Sequence, residues 1–596
     1  MKTYIVNIIW LSLFVLGSCN NDFMDRFPET SISPEAFFKT TKDLELYTNT
    51  YYEYVQPSFF DYICDNCVSY AETSKYNDLI RGSVTPQTVS GWDKGSWGQL
   101  RRFNFFLENV HKAAGDESLI HHYIGITRLQ RAVWYYNMVK MYNDVPWYST
   151  TLKDTDEELL YKKRDPRTLV VDSILADLEY ATDYISEEMG NRTQFSKWYA
   201  YAMKARICLH EGTFRKYHTE LNLQSTADDF LKKAVAASEE IMNTRLFRID
   251  KTGNAQQAYW NLFNNYDLSK SPEIILFKDY DQEALIKHSA GRHTFNWISN
   301  YSRSLMESYQ YLTDDGKAVP FSTLKDYDKK SYVEVFENRD PRFSQCFMPP
   351  GYIVAGQIQP NRPNMNLGGY PIIKYMAGTI DQLESNTQYT DLPVVRYAEV
   401  LLIHAEAKAE LGIIGQADLD NTINQIRERV DMPPTRLGEI VEDPVLKAQF
   451  PDVSNYIILE IRRERRIELV NENFRWDDLM RWNAGRLIGQ VQEGIYVDKL
   501  GLFDVTGDGV PDVGIFENEA ANTVPENERD KYTFYYLKSN SGALNTFRLT
   551  NGTSGYIVMN GEVNSRKFIE PQYYYWPIPQ TQITLNENLE QTIFWK

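Results

Sequence analysis

The residues with the clearest spacing for chemistry form an acidic loop near the end of the chain. The loop positions of an EF-hand-type calcium site are occupied by Asp504, Thr506, Asp508, Val510 and Asp512, with Gly509 at the sixth position. Such a loop wraps oxygen ligands around a hard cation, and its glycine permits the sharp turn. The twelfth position, which normally holds a bidentate acid, is Ile515, and Glu517 lies slightly beyond it. The pattern predicts a low-affinity, structural Ca²⁺ site; a turn with solvated aspartates is the alternative.

Two long irregular segments combine aromatic side chains with amides, acids and arginines. Tyr and Trp pair an apolar face with a polar edge, which suits stacking on sugar rings, and bidentate polar groups fix hydroxyls. Each aromatic residue has a competing role as a core anchor for its loop. We expect at least one of the four aromatic candidates to contact a ligand. The candidate ligand-binding residues are Tyr76, Asn77, Asp78, Arg81 and Trp92 in the first segment and Trp297, Asn300 and Tyr301 in the second.

The sequence shows no group of residues with the spacing of a catalytic site. Glu464-Arg465-Arg466-Ile467-Glu468 places unlike charges three or four residues apart, as helix-surface ion pairs do, and Glu406 and Glu410 are interpreted in the same way. A glycosidase needs two carboxylates across a cleft, one with a raised pKa, and the sequence singles out no such pair. HExxH, G-x-x-x-x-G-K-[ST] and G-x-S-x-G motifs are all absent from the sequence. We therefore predict that the protein is not an enzyme and requires no cofactor.

Cys64 and Cys67 form a lone C-x-x-C motif. It lacks the sequence context of a redox-active dithiol and the second ligand pair of a zinc site. A local disulfide and two free thiols both remain open as interpretations.

Net charge and aromatic content limit the classes of partner that the protein can bind. The net charge of −18 argues against nucleic acid and against an anionic membrane surface, because phosphates attract a basic footprint. Aromatic residues make up 14% of the chain, including 41 tyrosines and 12 tryptophans. This excess fits either core packing or sugar stacking.

Helices must position these candidates, because helical periodicity dominates the chain. Leu129, Val133 and Tyr136 recur at i, i+4 and i+7 in 119–142, for example. Several helices pair across short polar turns, as tetratricopeptide-type stacking requires, although no clean 34-residue repeat is present. Long segments rich in Tyr, Asn, Gly and Pro separate them at 55–97, 245–395 and 485–580, and loops of this length are usually functional. The predicted helices are 98–113, 119–142, 167–186, 196–212, 228–244, 396–411, 418–431 and 455–472.

The first residues predict export. Lys2 precedes the apolar run Ile5 to Leu16, which has the length of a secretory h-region and is too short to span a bilayer. The run ends in Leu16-Gly17-Ser18-Cys19, which is similar to a bacterial lipobox with Gly17 where Ala or Ser is more usual. We predict a signal peptide over 1–18, acylation of Cys19, a tether over 19–33 and one domain over 34–596. Within that domain we expect a helical N-terminal part, 34–244, and a loop-rich and helical C-terminal part, 245–596.

Several motifs, in order, resemble the SusD/RagB family of nutrient-binding outer-membrane lipoproteins. Each motif alone is a weak indication, but eight motifs in the family's order indicate a real resemblance. One departure is that the family's Gly-Glu-Ala block near 124–127 is absent. The motifs are Asp22-Phe23-Met24-Asp25, Trp97-Gly98-Gln99-Leu100, Arg128 to Pro146, Arg396 to Ala407, Ile423 to Arg427, Glu464 to Leu469, Trp576-Pro577-Ile578-Pro579 and Leu585 to Gln591.

This resemblance implies a mostly α fold, an α/α superhelix of four tetratricopeptide-like helix pairs with loops that form the ligand face. It also implies a surface-exposed, lipid-anchored protein of the outer membrane that captures a glycan for a SusC-like TonB-dependent transporter. Peptide capture in the same complex, a surface glycoside hydrolase and a protein-binding adaptor are the alternatives. The identity of the glycan does not follow from the resemblance.

Overall fold

The computed structural model describes residues 37–59, 61, 63–68, 75–295, 300–378, 384–563 and 565–596. The predicted signal peptide, Cys19 and the tether lie outside these residues. Among the described residues, every helix is too short or too polar to cross a membrane. The helices are α1 (Thr41–Asn49), α2 (Lys75–Ile80), α3 (Lys94–Asn109), α4 (Glu117–Tyr142), α5 (Glu157–Leu160), α6 (Arg167–Tyr184), α7 (Lys197–Tyr217), α8 (Ala227–Thr244), α9 (Ala258–Phe263), α10 (Ala290–Thr294), α11 (Arg303–Ser308), α12 (Pro341–Cys346), α13 (Tyr397–Glu410), α14 (Gln416–Asp420), α15 (Ile423–Glu428), α16 (Pro444–Gln449), α17 (Tyr456–Glu468), α18 (Arg475–Arg481) and α19 (Gln580–Leu585).

The long helices pack one after another. α3 packs on α4, α4 on α6, α6 on α7 and α7 on α8, and the chain later returns so that α8 packs on α13 and α13 on α17. The mostly α fold and the helix pairs α3/α4 and α6/α7 are thereby confirmed. The predicted helix 418–431 is instead two short helices, α14 and α15, because the backbone of Thr422 is not helical (φ −129°, ψ −94°).

Helix α4 shows how local sequence sets an element. The Asp116 carboxylate accepts a hydrogen bond from the Ser118 amide at 2.8 Å and caps the first turn. Asn143, with a positive φ of 64°, ends the helix. Arg131 donates two hydrogen bonds to Asp177, at 2.7 and 2.8 Å, and so fixes α4 to α6.

The irregular segments carry small sheets. The predicted β-like run at 273–277 is confirmed as β1, which pairs antiparallel with β4 and holds the loop-rich region against the start of α13. β5, β10 and β9 form one three-stranded sheet, and β6, β7 and β8 form another in which β7 and β8 are parallel. The strands are β1 (Ile274–Lys278), β2 (Tyr311–Leu312), β3 (Ala318–Val319), β4 (Leu392–Arg396), β5 (Tyr496–Val497), β6 (Gly501–Phe503), β7 (Val513–Phe516), β8 (Thr533–Tyr536), β9 (Phe547–Leu549) and β10 (Gly555–Met559).

Two large apolar clusters result. One fills the helical stack and includes Leu178 and Leu402. The other lies under the loops and includes Phe343 and Ile515. The helical cluster contains residues from both sides of position 244, so it does not mark a boundary there. The predicted division of the domain at this position stays a prediction.

Candidate functional site

The stretch 65–68, which leads into the first segment selected from the sequence, lies against the second segment. The Val68 amide donates to the Asn300 carbonyl at 3.0 Å, and the Ser302 amide donates to the Asn66 carbonyl at 2.7 Å. The Ser302 hydroxyl also donates to the Asp65 carbonyl at 2.7 Å. The structure therefore brings together two stretches that are far apart in the sequence.

A buried carboxylate fixes this junction to the helical scaffold. Arg475 on α18 donates two hydrogen bonds of 2.8 Å to Asp65, and Arg466 on α17 donates a third of 3.2 Å. Burial by itself raises the pKa of Asp65, but the charges of Arg466 and Arg475 outweigh it and lower the pKa well below its ordinary value. The junction is therefore held by charge-assisted bonds that a flexible loop would lack.

Two of the predicted ligand residues stand at the surface beside this junction. Asp78 is exposed at the end of α2. The Arg81 side chain is 38% exposed, and its guanidinium lies 3.4 Å from a carboxylate oxygen of Glu562. Both side chains are open to a ligand from solvent.

Sequence reasoning missed two tyrosines around Arg303, which directly follows the junction residue Ser302. The Arg303 guanidinium lies 4.0 Å from the ring centre of Tyr556 and 5.8 Å from that of Tyr327, and all three residues are half-buried. Burial alone would lower the pKa of Arg303, but the charges of Glu307 and Glu493 raise it above its ordinary value. Tyr556 and Glu562 are six residues apart in the sequence, so one short segment contacts both arginines. We use the name loop face for Asp78, Arg81, Arg303 and Tyr556, together with Glu562, which is 6% exposed and pairs with Arg81.

Asn300 and Tyr301 require a correction. They are 0% and 2% exposed. The Asn300 amide donates to the Gly369 carbonyl at 3.1 Å, and the Tyr301 hydroxyl donates to Asn471. Tyr301 and Tyr370 also exchange two backbone hydrogen bonds of 3.0 Å. Both predicted ligand residues are therefore structural, because their polar groups are used to join the loop to the core.

Trp92 is mostly buried but lines a cleft. It is 7% exposed and packs edge-on against Trp97 and Tyr142, with ring centres 5.2 and 4.8 Å apart. Trp92 and Trp97 line a mostly apolar cleft of about 640 Å³. Trp92 thus anchors its loop in the core, and its role as a ligand contact stays a prediction.

The remaining candidates are not placed by the structure. Tyr76 and Asn77 belong to α2, but their side chains lie outside the described residues, as does the whole of Trp297. Their roles stay predictions.

Cys64 and Cys67 are not joined by a disulfide, so the disulfide interpretation is wrong. Both are buried. The Cys64 thiol donates to the Asp61 carbonyl at 2.8 Å, and burial raises its pKa well above the ordinary value. A buried, protonated thiol is a poor nucleophile.

The charged run on α17 is buried, which corrects the expectation of helix-surface ion pairs. Glu468 accepts hydrogen bonds from Arg396, Arg429 and Arg342 at 2.7, 2.6 and 3.2 Å. Burial opposes its ionisation, but the charges of Arg429 and Arg396 hold the pKa of Glu468 at about 2. Glu464 is bound in the same way by Arg342 and Arg427. Paired arginines lower the pKa of both carboxyl groups, and both are buried, so their role is structural, as the sequence predicted.

Two carboxyl groups have strongly raised pKa values. Burial raises the pKa of Asp61 to about 6 and that of Asp391 to about 7. Asp61 accepts from the Asn471 amide at 2.6 Å, and Asp391 accepts from the Leu268 and Tyr280 amides at 2.8 and 3.0 Å. Both are almost fully buried, so neither faces a cleft as the general acid of a glycosidase must.

The acidic loop brings its three aspartates together. Carboxylate oxygens of Asp504, Asp508 and Asp512 lie within 4.8 Å of one another. The Thr506 hydroxyl donates to Asp512 at 2.8 Å, and the exposed Val510 donates its amide to Asp508 at 2.8 Å. Three converging carboxylates form the hard-oxygen donor set that Ca²⁺ prefers.

The departure at the twelfth loop position also has a structural reason. Ile515 is fully buried in the central strand β7, where a carboxylate would be costly. Glu517 binds Lys538 at 2.9 Å instead of joining the aspartates.

The fold and this face together define an α/α scaffold whose long loops build one exposed surface. A family model described as "SusD family" matches residues 239–595, and a second, described as "Starch-binding associating with outer membrane", matches residues 23–209. The first match alone spans more than half of the chain. The chain belongs to the SusD family.

Individual relatives agree. A SusD-like protein of Formosa agariphila is 25% identical over 507 residues, which is 81% of this chain and 92% of the relative. A SusD-like protein of Bacteroides ovatus is 22% identical over 80% of this chain and 82% of its own length. The crystal structure of a SusD-like carbohydrate binding protein from Bacteroides fragilis shares 21% identity and a TM-score of 0.64, covering 93% of this chain and 100% of that one. A laminarin binding SusD-like protein has a TM-score of 0.53 at 16% identity, with 94% and 100% coverage. These solved structures share the fold.

Proposed function

We propose that this chain captures a glycan at the loop face and passes it to a SusC-like TonB-dependent outer-membrane transporter without altering it chemically. The observation that carries the proposal is the position of two arginines against one short segment of the chain. Arg81 lies 3.4 Å from Glu562, and Arg303 lies 4.0 Å from the ring centre of Tyr556, which is six residues earlier in the sequence. Arginine and carboxylate groups hold hydroxyls, and tyrosine rings offer stacking surfaces.

Family membership supports the same class of ligand. Relatives in the SusD family are described as carbohydrate binding or laminarin binding, and one matching family model is described as starch-binding and associated with the outer membrane. A binding role also agrees with the buried positions of Glu464, Glu468, Asp61 and Asp391, which leave the acids with unusual environments away from any cleft.

Affinity electrophoresis of residues 20–596 through gels that contain single polysaccharides tests the proposal. We expect one polysaccharide class to retard the chain. Arg81→Ala and Trp297→Ala should each weaken retardation. Arg436→Ala, which removes an exposed arginine from the helical region, is the matched control and should migrate as the unmodified chain.

Two results would contradict this function. Retardation that Arg81→Ala and Trp297→Ala both leave unchanged would remove the ligand from the loop face. Oligosaccharides released from the same samples would show turnover and refute a purely binding role.

We propose lipid anchoring at Cys19, which places the chain on the cell surface at the outer membrane. Cys19→Ser should shift the chain from the outer-membrane fraction to the soluble fraction. Uptake of the polysaccharide by intact cells tests the transfer of glycan to the transporter. The released Cys19→Ser chain should still bind its polysaccharide in gels, but cells that carry it should take up the polysaccharide more slowly. Equal membrane association of both forms would refute the anchor.

We also propose a structural Ca²⁺ in the acidic loop. The converging carboxylates of Asp504, Asp508 and Asp512 and their EF-hand-like spacing support it. An ion there would neutralise like charges and hold the turn between β6 and β7.

A further inference from the structure

A groove on the helical scaffold lies between α4 and the segment 473–477. Two adjoining cavities, of about 360 and about 320 Å³, form it. They share the lining residues Asn137, Lys140, His210, Asn473 and Asp477. We call this the scaffold groove, and it contains none of the residues that define the loop face.

Aromatic side chains form part of its walls. Tyr54 and Phe474 line the first cavity and Trp476 lines the second, and all three are half-buried. The Arg206 guanidinium lies 5.1 Å from the ring centre of Phe474 and keeps that ring in place. Partly open aromatic rings provide stacking surfaces for apolar faces of a ligand.

Exposed amides add the complementary polar groups. Asn137 is exposed on α4, five residues before the helix ends, on the face where Val133 and Lys140 are also accessible. Asn473 is exposed across the groove, in a turn with a positive φ of 65°. A side-chain amide offers both donors and an acceptor, which matches the alternating hydroxyls of a sugar.

The charges of the groove decide the class of ligand. Each of the four cations in the lining is held by a carboxylate, so a charged ligand would have to break an existing pair. An uncharged, oxygen-rich molecule meets no such cost. The pairs are Lys140 with Asp477 at 2.6 Å, Arg206 with Glu399 at 2.6 Å, Arg465 with Asp478 at 3.0 Å and Arg481 with Glu406 at 2.7 Å.

We propose that the scaffold groove is a second binding site, for an uncharged mono- or disaccharide. The cavities fall within the range of about 300–1,000 Å³ that is usual for small-molecule sites. The site combines half-buried aromatic rings with exposed amides, and it is separate from the loop face proposed above.

Calorimetry and tryptophan fluorescence test this with residues 20–596 and a panel of glucose, galactose, mannose, maltose and cellobiose. Asn137→Trp fills the groove from an exposed helix position and removes no core contact. Ala176→Trp, at an exposed position of α6 outside the groove, is the matched control. Circular dichroism and the melting temperature establish that both variants are folded.

We expect at least one sugar of the panel to bind the unmodified chain and the Ala176→Trp variant alike. Asn137→Trp should bind it at least about tenfold more weakly, which corresponds to about 1.4 kcal/mol of binding free energy. The same variant should keep its retardation by polysaccharide. Equal sugar binding by Asn137→Trp, or no binding of any panel sugar to the unmodified chain, would overturn the second site. Loss of polysaccharide retardation in Asn137→Trp, with retention in Arg81→Ala, would instead show that the groove is the glycan site and refute the loop face.

Discussion

Replacing Glu468 by glutamine should destabilise the protein strongly at neutral pH. Its carboxylate lies among three buried guanidinium groups, those of Arg342, Arg396 and Arg429, at 2.6 to 3.2 Å. Glutamine keeps the shape of the side chain but removes the charge, and it presents an NH₂ group to at least one guanidinium. The variant therefore leaves buried positive charge without its full counter-charge.

Two routes give the magnitude. The pKa of Glu468 falls from 4.5 to about 2 on folding, and at about 1.4 kcal/mol per pH unit this corresponds to about 3 kcal/mol of stability. Removal of one partner from a buried ion pair costs about 3–5 kcal/mol in other proteins. We therefore expect the free energy of unfolding to fall by about 3–5 kcal/mol.

The dependence on pH distinguishes the charge from the shape. A lowered carboxyl pKa stabilises the fold above the unfolded value, and this contribution is lost as the pH falls through the folded value. The difference between the unmodified chain and Glu468→Gln should therefore be full above pH about 5 and shrink as the pH approaches about 2. Urea unfolding followed by fluorescence and circular dichroism at several pH values measures it.

Glu517→Gln is the matched control. Glu517 forms an ion pair with Lys538 at 2.9 Å, but its side chain is 53% exposed, and exposed pairs contribute about 0–1 kcal/mol. An unchanged urea midpoint for Glu468→Gln at neutral pH would refute the argument. So would a deficit that stays constant down to pH about 3, since that would trace to packing and not to charge.

Three further outcomes follow from the structure. Excess CaCl₂ should raise the melting temperature of the unmodified chain but not that of Asp504→Asn/Asp508→Asn. At a hundredfold excess over the dissociation constant, bound Ca²⁺ adds about 2.7 kcal/mol to the free energy of unfolding. Equal shifts in both proteins would contradict a Ca²⁺ site. Trp92→Ala should cost about 3–5 kcal/mol as a core truncation, whereas Trp92→Phe should keep polysaccharide binding; unchanged stability with lost binding in gels would show a ligand contact instead. Cys64 and Cys67 should react with a maleimide only after unfolding, as mass spectrometry would show, and rapid labelling of the native chain would contradict their burial.

The helical scaffold was accessible from the sequence because its apolar spacing is regular. The stripe of α4 and its capping residues are local features, and they specify the helix without reference to the rest of the chain. The break at Thr422 was not predicted, because the apolar positions on both sides keep helical spacing while the backbone between them does not.

Burial of polar and aromatic residues was harder to predict, because it depends on distant partners. The spacing of Glu464 and Glu468 is the same whether they pair along one helix or with Arg342 and Arg396 from other segments. Tyr301 and Trp92 have the composition of ligand contacts, but their neighbours come from residues far away in the sequence. Asp78 and Arg81 were selected from the sequence and are exposed in the structure, while Tyr556 gave no local signal.

The origin of the loop face from three distant parts of the chain has a consequence for how the protein matures. Arg81 comes from the first sixth of the sequence, Arg303 from its middle and Tyr556 from near its end. A chain that emerges from its N-terminus first cannot complete this surface until its last residues are free to fold. On the proposed function, the chain can therefore bind a glycan at the loop face only late in its biogenesis. A chain that stops before Tyr556 would contain most of the helical scaffold but would lack part of the loop face.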